Sequence, residues 1–383
     1  MNDLKYITYQ TFPSKKANTI QTIDNLKYLK KYFNVELIFP LREAFSSSNI
    51  EDLKEFYGDI SGIKFTGTEH KLPFGKFSYF EKYLFLFSHF LWSRKNVKKF
   101  IEPGDYKKFF FTRSEWVFYF LSKKGFNVIF ECHQFSKVRK LIIDKSIKYP
   151  NSKILFLNEN LLRDSNIPKE HSNKLMVLHN GVDEKLFRKK VRKNKNEIVF
   201  AGNLKRFDND RNLKFIIDSF KNFKLSENFT LKIVGADIEE GKELESYIKS
   251  LNLDTIAKVV ERQNRENTIR ILESAEIGLL INSSENEHSF KYTSPLKYFE
   301  YLYSQLKILA IDFPAHRQLP FANNIQMFEE GDSEGFQASL ENSLSINPIS
   351  IDELDTITLE NRAKKICDFF NFARLEGFEP PTL

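Results

Sequence analysis

The chain's clearest chemistry lies in the run Ser294-Pro295-Leu296-Lys297-Tyr298-Phe299-Glu300-Tyr301. Its residue types predict a helix with Ser294 as N-cap and Pro295 as first helical residue. The open N–H groups at such a helix start, with the positive end of its dipole, can hold a phosphate. Lys297 and Glu300 are three apart and share a face. One can meet phosphate while the other accepts hydrogen bonds from ribose hydroxyls; the plainer alternative is a capped helix with an i,i+3 ion pair. A second candidate is the loop Ala201-Gly202-Asn203-Leu204-Lys205-Arg206, followed by Arg211. Gly202 admits close backbone approach by a ligand, and Lys205, Arg206 and Arg211 can neutralise a diphosphate. Incidental charges on a surface loop are the competing explanation. Val234-Gly235-Ala236 is a weaker signal, because a glycine ending a strand is ordinary turn chemistry.

These residues need strands and helices to aim them, and the pattern supplies both. Lys5 to Phe12, a turn-rich loop at Pro13, a helix from Ala17 to about Tyr32 and a strand from Val35 to Pro40 form a β–α–β opening. Further strands are expected at Lys108 to Thr112, Asn127 to Glu131, Lys153 to Leu157 and Lys174 to His179, with a helix from Glu115 to Lys123. The basic run Arg188 to Lys195 reads as a solvated linker. Beyond it, strands Glu197 to Ala201, Thr230 to Val234, Ala257 to Val260, Ile277 to Ile281 and Lys307 to Ile311 alternate with helices near 211–223, 242–251, 264–274 and 295–304. The unbroken apolar run Ile277-Gly278-Leu279-Leu280-Ile281 suits a strand covered on both faces. Ligands of open parallel sheets bind beyond the carboxyl ends of the strands, where the candidate loops fall.

The predicted architecture is therefore α/β, with two doubly wound, Rossmann-like domains. The first spans 1–187, a basic linker 188–196, and the second 197–355. A helix at 356–375 is placed to cross back to the first domain. The tail 376–383, with adjacent prolines and no periodicity, is expected to be disordered.

Composition narrows the remaining classes. The chain has 383 residues, 41% of them apolar, which supports two sizeable cores. Its 39 Phe are an excess to which no function is attached. Two cysteines, Cys132 and Cys367, without ligand-like spacing, argue against a disulfide framework or Cys-based zinc site and fit a reducing, cytoplasmic setting. The start of the chain lacks the features of an export signal. A net charge of +7 favours anionic partners, yet no nucleic-acid-binding motif accompanies it. The aromatic-rich stretch from Phe80 to Trp92 is too short to span a bilayer. Flanked by Arg94, Lys95, Lys98 and Lys99, it is either a core helix with a solvated basic end or a patch facing an anionic membrane.

The carboxyl half resembles the family 4 retaining glycosyltransferases (group 1) of the GT-B fold. The resemblance rests on Asn180-Gly181-Val182-Asp183 with Phe187, Val199-Phe200-Ala201-Gly202, Leu231-Lys232-Ile233-Val234-Gly235, Ser294 through Tyr301, and Ile311-Asp312-Phe313-Pro314. The amino half is similar to a bacterial polysaccharide-type branch, through the run from Pro13 to Gln21, Thr112-Arg113-Ser114 and Phe130-Glu131-Cys132-His133. Membership would imply an interdomain cleft and transfer of a sugar, with retention, from a UDP- or GDP-sugar to a saccharide or lipid-linked acceptor. Neither metal nor cofactor would be needed. The setting would be cell-surface polysaccharide or glycolipid synthesis in the cytoplasm, with peripheral contact at the inner face of the plasma membrane through the first domain.

The resemblance assigns Glu300 to the donor ribose and Lys205 or Arg211 to the diphosphate. Gly202, Gly235, Ser294 and the N–H groups of Leu296 and Lys297 would line the donor site. His133 would approach the sugar from the first domain, and Lys16 and Asn18 would border the acceptor. The family's first glutamate is replaced by Tyr292, and its usual Gly and Pro after the helix by Gln305 and Lys307. Those departures keep three alternatives open: a catalytically impaired nucleotide-sugar-binding or scaffold protein, an inverting GT-B transferase, and an epimerase.

Overall fold

A computed structural model describes residues 1–70, 81–99, 107–188, 191–206, 209–221, 223 and 228–371. The tail at 376–383 and the last residues of the helix expected at 356–375 lie outside these. The chain forms two compact units, Met1–Leu178 joined by helix α12 (Leu359–Asn371), and His179–Thr358.

In the first unit, β1 (Asn2–Ile7), β2 (Phe33–Leu41), β3 (Ile63–Glu69), β4 (Phe109–Thr112), β5 (Asn127–Cys132), β6 (Ser152–Phe156) and β7 (Leu175–Val177) form one parallel sheet. Helices α1 (Ala17–Leu29), α2 (Ile50–Tyr57), α3 (Glu81–Lys99), α4 (Glu115–Lys123), α5 (Lys137–Ser146) and α6 (Glu159–Ser165) connect the strands. The strand order β3-β2-β1-β4-β5-β6-β7 reverses direction between β1 and β4, so the loops after those two strands diverge and open a crevice. Much of the phenylalanine excess is buried here. Phe109, Phe110 and Phe111 are all at most 1% exposed because β4 is central and covered on both faces.

The second unit repeats the plan with β8 (Glu197–Ala201), β11 (Thr230–Ala236), β12 (Ala257–Glu261), β13 (Ile277–Leu280), β14 (Lys307–Ile311) and β15 (Ile325–Phe328), all parallel. A short hairpin of β9 (Lys205–Arg206) and β10 (Asn209–Asp210) follows β8. Helices α7 (Leu213–Lys221), α8 (Ile238–Ser250), α9 (Arg265–Ser274), α10 (Leu296–Tyr303) and α11 (Ser333–Ser343) complete it. The order β12-β11-β8-β13-β14-β15 places the reversal between β8 and β13, so the loops after Ala201 and Leu280 flank the crevice.

Two segments behave differently from expectation. The basic run after Phe187 is tied to the second unit. The Arg188 N–H and the Lys193 ammonium donate to Glu273 and the Ser304 carbonyl, and Asn194 N donates to the Ser274 carbonyl at 2.7 Å. Burial pulls the Lys193 pKa down to about 8. The unit boundary falls before Asn180, because Asn180 bonds to Ser294 and the Phe187 ring lies 5.4 Å from that of Tyr303. Helix α12 packs on the first unit: Glu360 receives Lys31 and Tyr32, Arg362 Nη1 reaches Asn25 Oδ1 at 3.2 Å, and the Phe370 ring lies 4.8 Å from that of Phe109.

Candidate functional site

The crevice of the second unit is built around two glycines. A Cβ on Gly235 would sit 2.5 Å from the Gly202 carbonyl oxygen, and Gly235 has φ +116°, a conformation that disfavours side chains. A Cβ on Gly202 would sit 2.8 Å from Arg211 Nη1. The two loops therefore touch backbone to backbone, with Arg211 lying directly against the first. Gly235→Ala is expected to force them apart and cost about 1–3 kcal/mol, seen as a lower melting temperature together with weaker binding of nucleoside diphosphate.

Arg211 joins the β8 loop to the β13 loop. Its Nε donates to Asn282 Oδ1 at 2.9 Å, Nη2 to the Ile281 carbonyl at 3.1 Å, and Nη1 to the Asn203 carbonyl at 3.3 Å. The guanidinium also lies 5.1 Å from the Phe200 ring centroid. Burial, then the nearby Arg206 charge, lowers its pKa to about 10, so it stays cationic at neutral pH. Asn282 is fully buried, and its Nδ2 has no hydrogen-bond partner among the described residues. Asn212 braces the same loop, donating from Nδ2 to the Asn282 carbonyl at 2.7 Å and to Glu330 Oε1 at 2.6 Å. Lys205 is half exposed, 4.0 Å from Glu240.

Helix α10 is drawn onto the sheet by Tyr301. The ring occupies the space a Cβ on Gly278 would fill, 2.7 Å away. Its buried hydroxyl accepts Ala201 N–H at 3.1 Å and donates to the Leu279 carbonyl at 3.3 Å. Tyr301 thereby fixes α10 against β8 and β13 at once. The helix start differs from expectation: Pro295 is the N-cap, helical geometry begins at Leu296, and no side chain caps it. The Ser294 hydroxyl instead accepts Asn180 N–H at 3.1 Å, because the Asn180 amide competes for it and also donates to the Ser294 carbonyl at 2.5 Å. Lys297 Nζ holds Glu300 Oε2 at 2.6 Å, so the ion pair foreseen as the plainer alternative is present. Glu300 itself is 6% exposed and Tyr292 7%.

In the first unit, Lys16, Asn18 and His133 follow the carboxyl ends of strands. Lys16 is exposed and precedes α1 as its N-cap. The Asn18 carbonyl accepts from Gln10 Nε2 at 3.1 Å and Arg113 Nη1 at 3.0 Å. Arg113 Nη2 is 2.6 Å from His133 Nδ1, so Asn18 and His133 belong to one cluster. His133 Nε2 lies 2.9 Å from Glu131 Oε2. An arginine can only donate, so Nδ1 is the acceptor and the ring proton sits on Nε2. Burial, reinforced by Arg113, pushes the His133 pKa down to about 3 despite Glu131. Burial opposes ionisation of Glu131, yet Arg362, His133 and Arg113 together hold its carboxyl well below the usual range. Glu131, Arg113 and Arg362 were not foreseen as site groups.

Neutral buried imidazoles make the first unit sensitive to acid. Burial also drops His89 to about 4. Both folded values lie below the ordinary 6.5, so as pH falls the unfolded chain binds protons first. Stability is retained above about pH 6.5 and is lost progressively towards the folded values. At pH 5 each histidine is expected to cost roughly 2 kcal/mol. The two tryptophans, Trp92 and Trp116, both lie in this unit. Their fluorescence should therefore report a melting temperature lower at pH 5 than at pH 7 by several degrees; equal values would mean that the imidazoles are not held neutral.

Comparison with known proteins fits this geometry. Residues 182–318 match the family model described as "Glycosyl transferases group 1", a segment holding Gly202, Arg211, Gly235 and the run from Ser294 to Glu300. No curated protein sequence matches the chain. Among solved structures, the chain is similar to a glycosyltransferase from Rickettsia africae ESF-5, at 13% identity and TM-score 0.68, over 98% of this chain and 100% of that one. It is also similar to Anabaena Alr3699/HepE in complex with UDP and glucose, at 12% identity and TM-score 0.58, over 98% of each. A third is the Candida albicans trehalose-6-phosphate phosphatase N-terminal domain, at 12% identity and TM-score 0.63, over 97% of each. At such identities the likeness defines the class of fold, which is GT-B. Chemistry has to be argued from the site.

Proposed function

We propose that the protein is a glycosyltransferase that moves a sugar from a nucleoside-diphosphate donor to a saccharide or lipid-linked acceptor. The observation that carries this is the crevice between β8 and β13. There two glycines bring backbone together, a buried arginine is fixed by three hydrogen bonds, and the uncapped start of α10 follows. A diphosphate is the ligand such a concentration of positive potential suits. Arg211, rather than the solvated Lys205, is the principal diphosphate contact. Leu296 and Lys297 N–H groups bind the outer phosphate, and Glu300 takes the ribose hydroxyls. Loss of the glycosyl C1–O bond leaves charge on the diphosphate, which these groups stabilise.

We assign retention, with same-face attack. The acceptor oxygen bonds to C1 as the donor's bond breaks, and the acceptor proton passes to the departing phosphate oxygen. His133, uncharged at neutral pH, serves the sugar through hydrogen bonding or packing rather than as a charged acid. UDP- and GDP-sugars are the donors of choice, in a cell-surface polysaccharide or glycolipid pathway. A screen of nucleotide-sugars by mass spectrometry, for binding and slow hydrolysis, tests the proposal. One donor should bind selectively and release its nucleoside diphosphate; no binding by any donor would remove the reading. The burial of Tyr292 at the family's glutamate position favours one rival, a binder without turnover, which the same screen would reveal as binding without hydrolysis.

A further inference from the structure

Helix α3 is amphipathic in the reverse sense. Its inward positions Ser88, His89, Ser93 and Asn96 are polar and at most 5% exposed. They are stabilised by specific partners: Ser88 Oγ lies 2.6 Å from Tyr9 Oη and 2.8 Å from His70 Nε2, and His89 Nε2 lies 2.6 Å from Ser114 Oγ. Asn96 Nδ2 donates to the Trp92 carbonyl at 2.9 Å. The outward positions carry Leu84, Leu86, Phe87 and Leu91, exposed by 36 to 57%. Arg94, Lys95, Lys98 and Lys99 continue that exposed side. Helix α7 shows the ordinary arrangement, burying Leu213, Ile216, Ile217 and Phe220 and exposing Lys214, Asp218 and Lys221. Solvent alone gives no reason for the outer face of α3.

The apolar face continues onto neighbouring helices. A groove of about 390 Å³ between α3, α4 and α5 has a floor of Phe90, Trp116, Phe120 and Ile142. Its lining includes Arg94, Lys123 and Lys145 and contains no acid. None of these three cations is in an ion pair among the described residues. Leu141 and Val138 on α5 add further exposed apolar area, 54% and 40%. Exposed hydrocarbon bordered by unpaired cations matches the two layers of a lipid interface, acyl chains below and anionic headgroups at the rim. Among the described residues no helix is long and apolar enough to cross a membrane, so the contact is one of lying on the surface.

The geometry points to the outer face of α3, α4 and α5 as a docking surface for a bilayer containing anionic phospholipid. Leu86, Phe87 and Leu91 enter the headgroup–acyl boundary, and Arg94, Lys123 and Lys145 meet lipid phosphates. This inference does not depend on the sugar-transfer reading, and its test needs no turnover. The full-length chain is mixed with phosphatidylcholine vesicles, with and without about a third phosphatidylglycerol, and bound protein is measured by sedimentation at low and high salt. Binding is expected only with the anionic lipid, and weaker at high salt. The triple variant Arg94→Glu, Lys123→Glu, Lys145→Glu should reduce partitioning on the order of a hundredfold. Phe87→Ser with Leu91→Ser should reduce it roughly tenfold or more.

These positions are exposed, so melting temperature and nucleotide binding should be unchanged in both variants. In addition, vesicles with brominated acyl chains should quench Trp116, which lines the groove, leaving the Trp92 emission as residual signal. Absence of binding to the anionic vesicles, equal binding by the triple variant, or unquenched Trp116 with bound protein would each overturn the assignment. A partner protein held by this face without vesicle binding would do the same.

Discussion

Glu300→Gln is expected to lower kcat/KM for sugar transfer by about 10²–10³ while leaving the fold intact. Glutamine keeps the volume of a residue that is 6% exposed, so packing on α10 is preserved. What it loses is a charged acceptor facing two vicinal hydroxyls, and each charge-assisted hydrogen bond contributes about 1.5–3 kcal/mol. The observed Lys297 contact makes a second explanation concrete, namely that Glu300 merely holds Lys297. Lys297→Met separates the two. If Glu300 acts only through Lys297, both variants lose the same factor. If Glu300 binds ribose, the wild type should lose a similar factor when the donor's ribose lacks a hydroxyl, and Glu300→Gln should lose little more with that donor. Equal sensitivity of wild type and variant to the deoxy donor would disconnect Glu300 from ribose.

Much of this site was legible because its parts are local. Gly202, Gly235 and Arg211 stand at the ends of apolar runs, where parallel-sheet rules place ligands. The helix start was displaced by one residue, since its N-cap depended on Asn180, over a hundred positions away. In the fold, α2 and β3 went unrecognised: α2 is eight residues long, and β3 is an edge strand with mixed burial and a central Gly67. That glycine is required by Leu41, whose side chain lies 2.8 Å from where a Cβ would sit, a constraint invisible along the chain. The predicted strand from Lys5 to Phe12 ends at Ile7 in the structure. Tyr9 and Phe12 are buried without belonging to a strand, and burial alone imitates a strand pattern. The orientation of α3 was undecidable from periodicity, because its inner face is set by Tyr9, His70 and Ser114 rather than by hydrophobicity. Least legible was the charge cluster at Glu131, whose members Arg113 and Arg362 are single charges in a chain that is 28% charged.

That cluster sets the largest expected effect on stability. Glu131 and Arg362 have side chains 1% and 2% exposed, and Arg113 Nε is 3.3 Å from the same carboxylate. With His133 neutral, one anion balances two guanidinium groups. Glu131→Gln removes that anion and leaves two cations facing a desolvated amide, a cost of about 3–5 kcal/mol. Arg362→Met is expected to cost less, about 2 kcal/mol, because Glu131 and Arg113 remain a neutral pair and the loss is mainly hydrogen bonds to Glu131 and Asn25. The double variant should recover part of the Glu131→Gln penalty, since it removes one of the unbalanced cations. Urea unfolding followed by tryptophan fluorescence reads this unit selectively. The order of the two single variants is the decisive quantity: if Arg362→Met proves the more damaging, then the role of α12 is packing, through Phe370 against Phe33 and Phe109, and the buried ions contribute little to holding it.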